Sequence, residues 1–220
     1  MSRDTCGIPA RTIPGIHLKP DIQVRPDIQP LTPQRWNDLV TLFERPGCSI
    51  ARGCWCMFYR ESGKSIVPQN LSLREARKRS LKKLVDRGVV PGLLGYRGGQ
   101  PVGWVSLGPR DEYARLARSS VMKPVDDKRV WSIVCFVVDP KVRHQGVAAA
   151  LLKGALKWAR ENGVNLVEAY PVDKVKRSTD DGMWFGAKSM YDNAGFVEIA
   201  RRKPTRPVVR KTLRTRTPAS

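Results

Sequence analysis

The chain has 220 residues, of which 41% are hydrophobic and 27% charged, and 40 Lys/Arg against 20 Asp/Glu give it a formal charge of +20. Its longest apolar run, Val130–Val138, is nine residues broken by Ser132, well short of the about 20 that a membrane-spanning helix needs, and the six prolines in residues 1–33 leave no continuous apolar stretch of a secretory leader. Five cysteines, an odd number, do not make a disulfide framework, so the composition points to one reduced, cytoplasmic domain around a single core.

In chain order, residues 1–20 are Pro/Gly-rich and aperiodic and read as a disordered arm. A short strand is expected near Ile22–Ile28. A helix follows, capped by Thr32 with Pro33 at its first position and with Trp36, Leu39, Val40 and Phe43 at helical spacing. Ser72-Leu-Arg-Glu75 has the form of a capping box, in which hydroxyl and carboxylate satisfy two orphan amides reciprocally, and it starts a second helix that ends at Gly88. Gly92–Tyr96 and Val102–Leu107, joined by Arg97-Gly-Gly-Gln100, predict a β-hairpin, and a short amphipathic turn of helix is expected at Asp111–Ala117. The run Val130–Val138, rich in β-branched residues, reads as a central strand buried on both faces. The pattern then gives a helix over Val147–Arg160, closed by Asn162-Gly163, and a strand over Val164–Tyr170, stopped by Pro171. A helix over Ala187–Asn193 stops at Gly195, and two strands at Phe196–Arg201 and Val208–Leu213 close the chain.

The informative junction is Val138-Asp-Pro-Lys-Val-Arg143-His-Gln-Gly146-Val-Ala148. A buried strand that turns directly into a helix N-terminus aims unpaired amides and the positive end of the helix dipole at one spot, which makes an anion site. Gly146 lets the backbone approach a phosphate without a Cβ, Ala148 keeps the next turn narrow, and Arg143 adds charge. His144, inside this turn, reads as a partly exposed phosphate neighbour and not as a base.

Arg143-x-x-Gly146-x-Ala148 resembles the pyrophosphate-binding motif of the GNAT superfamily, Arg/Gln-x-x-Gly-x-Gly/Ala. Ala187-Lys-Ser-Met-Tyr191-Asp-Asn-Ala-Gly195-Phe196 resembles that family's helix-to-strand junction beside the thiol end of acetyl-CoA. More narrowly, Gly53-Cys-Trp-Cys-Met57, Val130-Trp-Ser-Ile-Val-Cys-Phe136, Glu168-Ala-Tyr-Pro171 and Arg206-Pro-Val-Val-Arg210 resemble a bacterial GNAT subgroup, some members of which are associated with protein-lysine acetylation. The resemblance spans roughly residues 21–215, with 216–220 left as a tail. It implies an α/β GNAT fold, with a mixed, mostly antiparallel central sheet of six to seven strands flanked by helices. It also implies acetyl-CoA as co-substrate, without a metal, held at Arg143, His144, Gln145, Gly146, Val147 and Ala148, with the backbone of Phe136 and Val138 against pantetheine.

In such enzymes an amine attacks the thioester directly in a ternary complex. The reaction then needs a neutral amine, a donor for the developing oxyanion and a proton for the leaving thiolate. By resemblance, a main-chain amide near Val138 polarises the carbonyl. Tyr191 stands where many relatives keep a tyrosine as general acid; a packing role is the alternative, because subgroup members often carry phenylalanine there. Trp184 stands where many members have an asparagine that contacts the cofactor. Glu168, in the strand next to the cradle strand, is the first candidate for general base. A structural or substrate-orienting carboxylate is its alternative role, and Asp126, Asp127, Asp173 or a water chain are other candidates for the base.

Cys48, Cys54 and Cys56 lack the spacing of a zinc knuckle, and both histidines are far away in sequence. They are expected to pack a loop lining the acceptor side, and Cys135 to belong to the core. The charge is uneven: residues 201–216 hold eight basic side chains and no acid, and 74–87 hold seven against two acids. These read as solvated surface or as contacts for polyanions. A second class of function therefore stands beside the enzyme, a non-catalytic module docking nucleic acid or an acidic protein. For the enzyme, a primary amine is the acceptor, on a protein lysine in an acidic surface or on a small molecule, while a polyamine would be repelled.

Overall fold

A computed structural model describes residues 25–62, 67, 69–174 and 182–213. The arm expected over 1–20 and the tail at 216–220 lie outside the described residues. Seven strands form one sheet: β1 (Asp27–Pro30), β2 (Gly92–Arg97), β3 (Gln100–Pro109), β4 (Trp131–Val138), β5 (Leu166–Ala169), β6 (Val197–Lys203) and β7 (Arg206–Thr212), in the order β1-β2-β3-β4-β5-β7-β6. Every neighbouring pair is antiparallel except β4 and β5. That parallel pair needs a crossover, which α5 (Val147–Glu161) supplies. The mixed, mostly antiparallel sheet expected from the sequence is present.

The helices follow their local chemistry. The Ser72 hydroxyl accepts from the Glu75 amide at 3.2 Å while the Glu75 carboxylate accepts from the Ser72 amide at 2.9 Å, and this capping box starts α3 (Leu73–Asp86). Thr32 makes no capping bond. Pro33–Arg35 forms a 3-10 turn instead, which runs into α1 (Trp36–Phe43) with Trp36, Leu39, Leu42 and Phe43 buried along one face. The short helix α2 (Ser49–Cys54) was not expected from the sequence. The turn near Asp111–Ala117 is a 3-10 turn at Arg110–Glu112 followed by α4 (Ala114–Ala117), and α6 (Lys188–Asn193) precedes β6.

Strand β4 is covered on both faces, as its composition requires. Ile133 and Phe136 pack with α5 residues Leu151, Leu152 and Ala155, Val137 packs with Trp55 and Trp104 under α1 and α3, and Val134 joins Tyr170 and Phe185. A Cβ on Gly103 of β3 would stand 2.8 Å from Leu151 and 3.0 Å from Val147. That glycine lets the first turns of α5 lie close on the sheet, which fixes where the helix begins.

One irregularity of the sheet creates the site. β4 and β5 are in register only at Trp131 with Val167, Ser132 with Glu168 and Ile133 with Ala169. β5 ends there while β4 continues to Val138. The two strands part, and one edge of β4 opens.

Candidate active site

A cleft of about 560 Å³ runs along this open edge. One end is lined by Arg143, His144, Gly146, Val147, Ala148 and Ala149, the floor by Val134 to Val138, and the other end by Cys54, Phe58, Tyr59, Met183 and Trp184. At about 3.3 Å per residue the floor is about 13 Å long.

The first end is an uncapped helix N-terminus. Gly146 is the N-cap of α5 with φ +76° and no side chain bonds to the helix amides. The first helical bond runs from the Ala150 amide to the Gly146 carbonyl at 3.0 Å, so the amides of Val147, Ala148 and Ala149 lie outside the helical ladder. A Cβ on Gly146 would meet nothing within 4 Å. The space in front of these amides is open, and the positive φ is what calls for glycine. His144 also has a positive φ, of 63°.

The turn before the helix is braced from several sides. The Asp139 carboxylate, 4% exposed, accepts from the Lys141 amide at 3.0 Å and pairs with Arg45. Arg143 donates from Nε to the Val138 carbonyl at 3.3 Å and from Nη2 to the Gly47 carbonyl at 3.1 Å, which ties the cradle to the loop before α2. Arg97, a turn residue by its sequence neighbours, donates to Gln145 Oε1 at 2.6 Å and to the Gln145 carbonyl at 3.0 Å. Gln145 therefore spends its side-chain oxygen on bracing.

The ladder decides which amides of β4 face the cleft. The Asp139 amide donates to the Val102 carbonyl of β3 at 3.0 Å, and the Phe136 amide donates the other way, to the Trp184 carbonyl at 2.6 Å. Antiparallel alternation then turns the Val138 amide away from β3 and toward the cleft, with Phe136. The Phe136 amide is engaged by Trp184, while the Phe136 carbonyl is turned to the same open edge. Val138 keeps its place on the open edge.

Four cysteines also line the cleft, Cys48 beside the cradle, Cys135 in the floor, and Cys54 and Cys56 with the loop after α2. Burial raises the Cys48 thiol, and burial followed by the neighbouring Cys56 pushes Cys54 up to about 11. Cys135 is raised by its hydrogen bond with Cys56 and then by burial. The Trp104 indole donates to the Cys56 sulfur at 3.2 Å. Protonated thiols of this kind behave as small packing groups. Among the described residues no group of three or more His, Cys, Asp or Glu side chains is arranged to hold a metal ion.

Glu168 and Tyr191 do not line the cleft. Glu168 is fully buried: Arg110 and the Tyr170 hydroxyl, the latter at 2.7 Å, donate to Oε1, and Arg210 Nε donates to Oε2 at 2.7 Å. Arg210 continues to Asp126 through two bonds of 2.7 and 2.9 Å, and Ser132 Oγ lies 2.9 Å from the Tyr170 hydroxyl. Both oxygens of the carboxylate are held by arginines away from the cleft, and this geometry favours the structural role over the base. Asp173 pairs with Arg201 at 2.7 Å. Tyr191 is fully buried, donates its hydroxyl to the Phe185 carbonyl at 2.9 Å, and packs edge-on against Phe136 and Phe196. Burial, then Cys135, raises its phenol far above the ordinary value.

The acetyltransferase (GNAT) family model matches residues 58–202, a span that contains β2 to β5, all but the last residue of β6, the cradle and most of the cleft. The chain belongs to the GNAT acetyltransferase family. It is thereby an acyltransferase with acetyl-CoA as co-substrate, and the uncapped, glycine-started helix suits the diphosphate of that molecule. No curated protein matches the chain. Among solved structures it is similar to the PaiA N-acetyltransferase of Thermoplasma acidophilum in complex with coenzyme A, at 16% identity over 86% of this chain and 99% of that one, TM-score 0.48. It is also similar to a ribosomal-protein-alanine N-acetyltransferase of Brucella melitensis, at 19% over 84% and 99%, TM-score 0.48. A third is an agmatine N-acetyltransferase in its apo form, at 13% over 86% and 100%, TM-score 0.50. At such identities the last of these bears on the fold alone. Among the described residues no helix is long and apolar enough to cross a membrane.

Proposed function

We propose that this GNAT protein is an N-acetyltransferase. Acetyl-CoA lies along the cleft, its diphosphate on the amides of Val147, Ala148 and Ala149 with Arg143, His144 and Gln145 around it. Pantetheine follows β4, where Val138 supplies backbone hydrogen bonds. A primary amine meets the thioester at the far end, between Phe58, Tyr59, Met183 and Trp184, and attacks it directly in a ternary complex. The single observation that carries this reading is the uncapped α5 N-terminus, with its left-handed Gly146, opening onto the cleft where β4 parts from β5. The unit concerned is taken as residues 21–215, in a cytoplasmic setting, which the unpaired state of Cys48, Cys54, Cys56 and Cys135 supports.

The acceptor we infer is an amine on a neutral or acidic molecule, first a protein lysine in an acidic surface, second a small-molecule amine. Electrostatics supports this. The chain carries +20, and helix α3, whose Arg77 lines the cleft, exposes Arg79 and Lys83, with Arg87 at its C-cap, at four-residue spacing. An acidic surface would be drawn to that stripe, and the attraction is screened by salt beyond a Debye length of about 8 Å.

The test is thiol release from acetyl-CoA with an acidic protein, a neutral small amine and spermidine, each at low and raised salt. We expect the acidic protein to lead at low salt and to slow as salt rises. The Arg79→Glu/Lys83→Glu double variant should slow the acidic protein about tenfold at low salt, flatten its salt dependence and leave the small amine unchanged, because exposed charges outside the cleft act on encounter more than on chemistry. Spermidine as best acceptor, or a rate on the acidic protein indifferent to salt, would contradict the acceptor reading. Thiol release that no amine in the panel increases would contradict the N-acetyltransferase reading.

A further inference from the structure

The leaving CoA thiolate needs a proton, and the tyrosine at the family position cannot deliver it here, because the Tyr191 hydroxyl is fully buried and donates to the Phe185 carbonyl. A second phenol stands in the cleft. Tyr59 follows the tight turn after α2, where Trp55 and Cys56 adopt positive φ of 47° and 51°, and it lines the end of the cleft opposite the cradle. Its position is fixed by packing: the ring meets Phe185 edge-on at 5.5 Å, and the Tyr59 carbonyl accepts from the Arg115 amide at 3.1 Å.

The surroundings of the hydroxyl suit a donor. Trp184 lines the same end of the cleft, and an indole can only donate, so Trp184 offers the Tyr59 oxygen a donor and makes no claim on the phenolic hydrogen. Trp184 is itself fixed against the open edge of β4 by the bond from the Phe136 amide to its carbonyl, at 2.6 Å. The Arg206 guanidinium lies close enough to favour a negative Tyr59 oxygen, which eases proton release. Burial acts the other way and is the larger influence, so the phenol titrates above its ordinary value and stays protonated at neutral pH.

We propose that Tyr59 is the catalytic acid of this protein, its hydroxyl touching the sulfur of acetyl-CoA at the far end of the cleft. This rests on the reading of the cleft as the acetyl-CoA site. In the step, the amine nitrogen bonds to the thioester carbonyl carbon and the carbon–sulfur bond breaks. The Tyr59 hydrogen passes to the CoA sulfur, and the proton lost by the new amide nitrogen returns through water to the Tyr59 oxygen. The products are the N-acetylated amine and CoA thiol, with the enzyme restored. Trp184, the position at which the chain departs from the family's asparagine, becomes a positioning residue for that phenol.

The test uses CoA itself as the probe and needs no acceptor. In a crystal structure of the full chain with CoA, the sulfur should lie within hydrogen-bond distance of the Tyr59 hydroxyl and away from that of Tyr191. In solution, the thiolate absorbance of bound CoA is followed against pH. A phenol that donates to the thiolate stabilises it, so Tyr59→Phe should raise the apparent pKa of the bound thiol by about one unit with CoA affinity within threefold. Tyr191→Phe should titrate with the wild type. A sulfur more than 5 Å from Tyr59, or a shift in Tyr191→Phe and none in Tyr59→Phe, would overturn the assignment. If Tyr59→Phe does not fold, the wild-type crystal structure decides alone. Failure of CoA to bind the wild type in calorimetry would instead overturn the reading of the cleft, and this assignment with it.

Discussion

Gly146→Glu is expected to fold and to lose acetyl-CoA affinity by about 100-fold or more in a calorimetric titration. Two causes combine. Gly146 sits at φ +76° as the N-cap of α5, a conformation that costs an L-residue roughly 1–2 kcal/mol and would tilt the first turn of the helix. The new carboxylate would also stand where the orphan amides of Val147, Ala148 and Ala149 converge, competing for them and repelling the diphosphate. Losing two charge-assisted bonds at about 1.5–3 kcal/mol each accounts for the size of the effect. Nothing lies within 4 Å of an added Cβ, so the variant tests the anion site with little disturbance of the core. Unchanged affinity in a folded Gly146→Glu protein would place the cofactor elsewhere.

Glu168→Gln is expected to lower the stability of the protein by about 3–5 kcal/mol in urea unfolding, the usual cost of leaving buried charges without their partner. The substitution keeps the volume but removes the negative charge between Arg110 and Arg210, whose side chains are only 13% and 8% exposed. A general base would behave differently, with stability kept and turnover lost. The same network sets an acid dependence. Arg210 holds the Asp126 carboxyl at about 2, well below its unfolded value. A depressed carboxyl contributes stability above its unfolded pKa of about 4, and that contribution is lost as pH falls from there through about 2. Glu168→Gln with wild-type stability would remove the structural role assigned to this carboxylate.

The parts of the fold that were legible in the sequence are those where one local rule dominates. The capping box at Ser72 and Glu75, the β-branched run of β4 and the strand-to-glycine-to-helix junction at Gly146 each follow from chemistry within a few residues. Helix α2 was not legible because six residues carry little periodicity and Cys48 makes no capping bond. At Thr32 the cap residue is present, but the chain takes a 3-10 turn and the hydroxyl goes unused.

The site divides in the same way. Its backbone half could be read, since amides at a helix start need no side-chain direction. Its side-chain half could not. Glu168 and Tyr191 are residue types able to move protons, but each is turned into the core, the first by Arg210, 42 positions later, and the second by the carbonyl of Phe185, six positions earlier and outside the helix that carries Tyr191. Tyr59 is not legible because its neighbours in sequence give no sign that it shares the end of the cleft with Trp184, 125 positions later. Arg97 reads as a turn residue until the fold sets it on Gln145.

The most direct measurement of the central claim, a backbone cradle for acetyl-CoA at the start of α5, is amide hydrogen exchange of the wild-type chain with and without acetyl-CoA. Amides already bonded in the helical ladder exchange slowly in both states, whereas those of Val147, Ala148 and Ala149 have no ladder partner. Peptides covering residues 143–150 and the Val138 edge of β4 should gain protection when acetyl-CoA is added, with little change in β1 or β6. Protection confined to other segments, or none in 143–150 at saturating acetyl-CoA, would contradict the cradle.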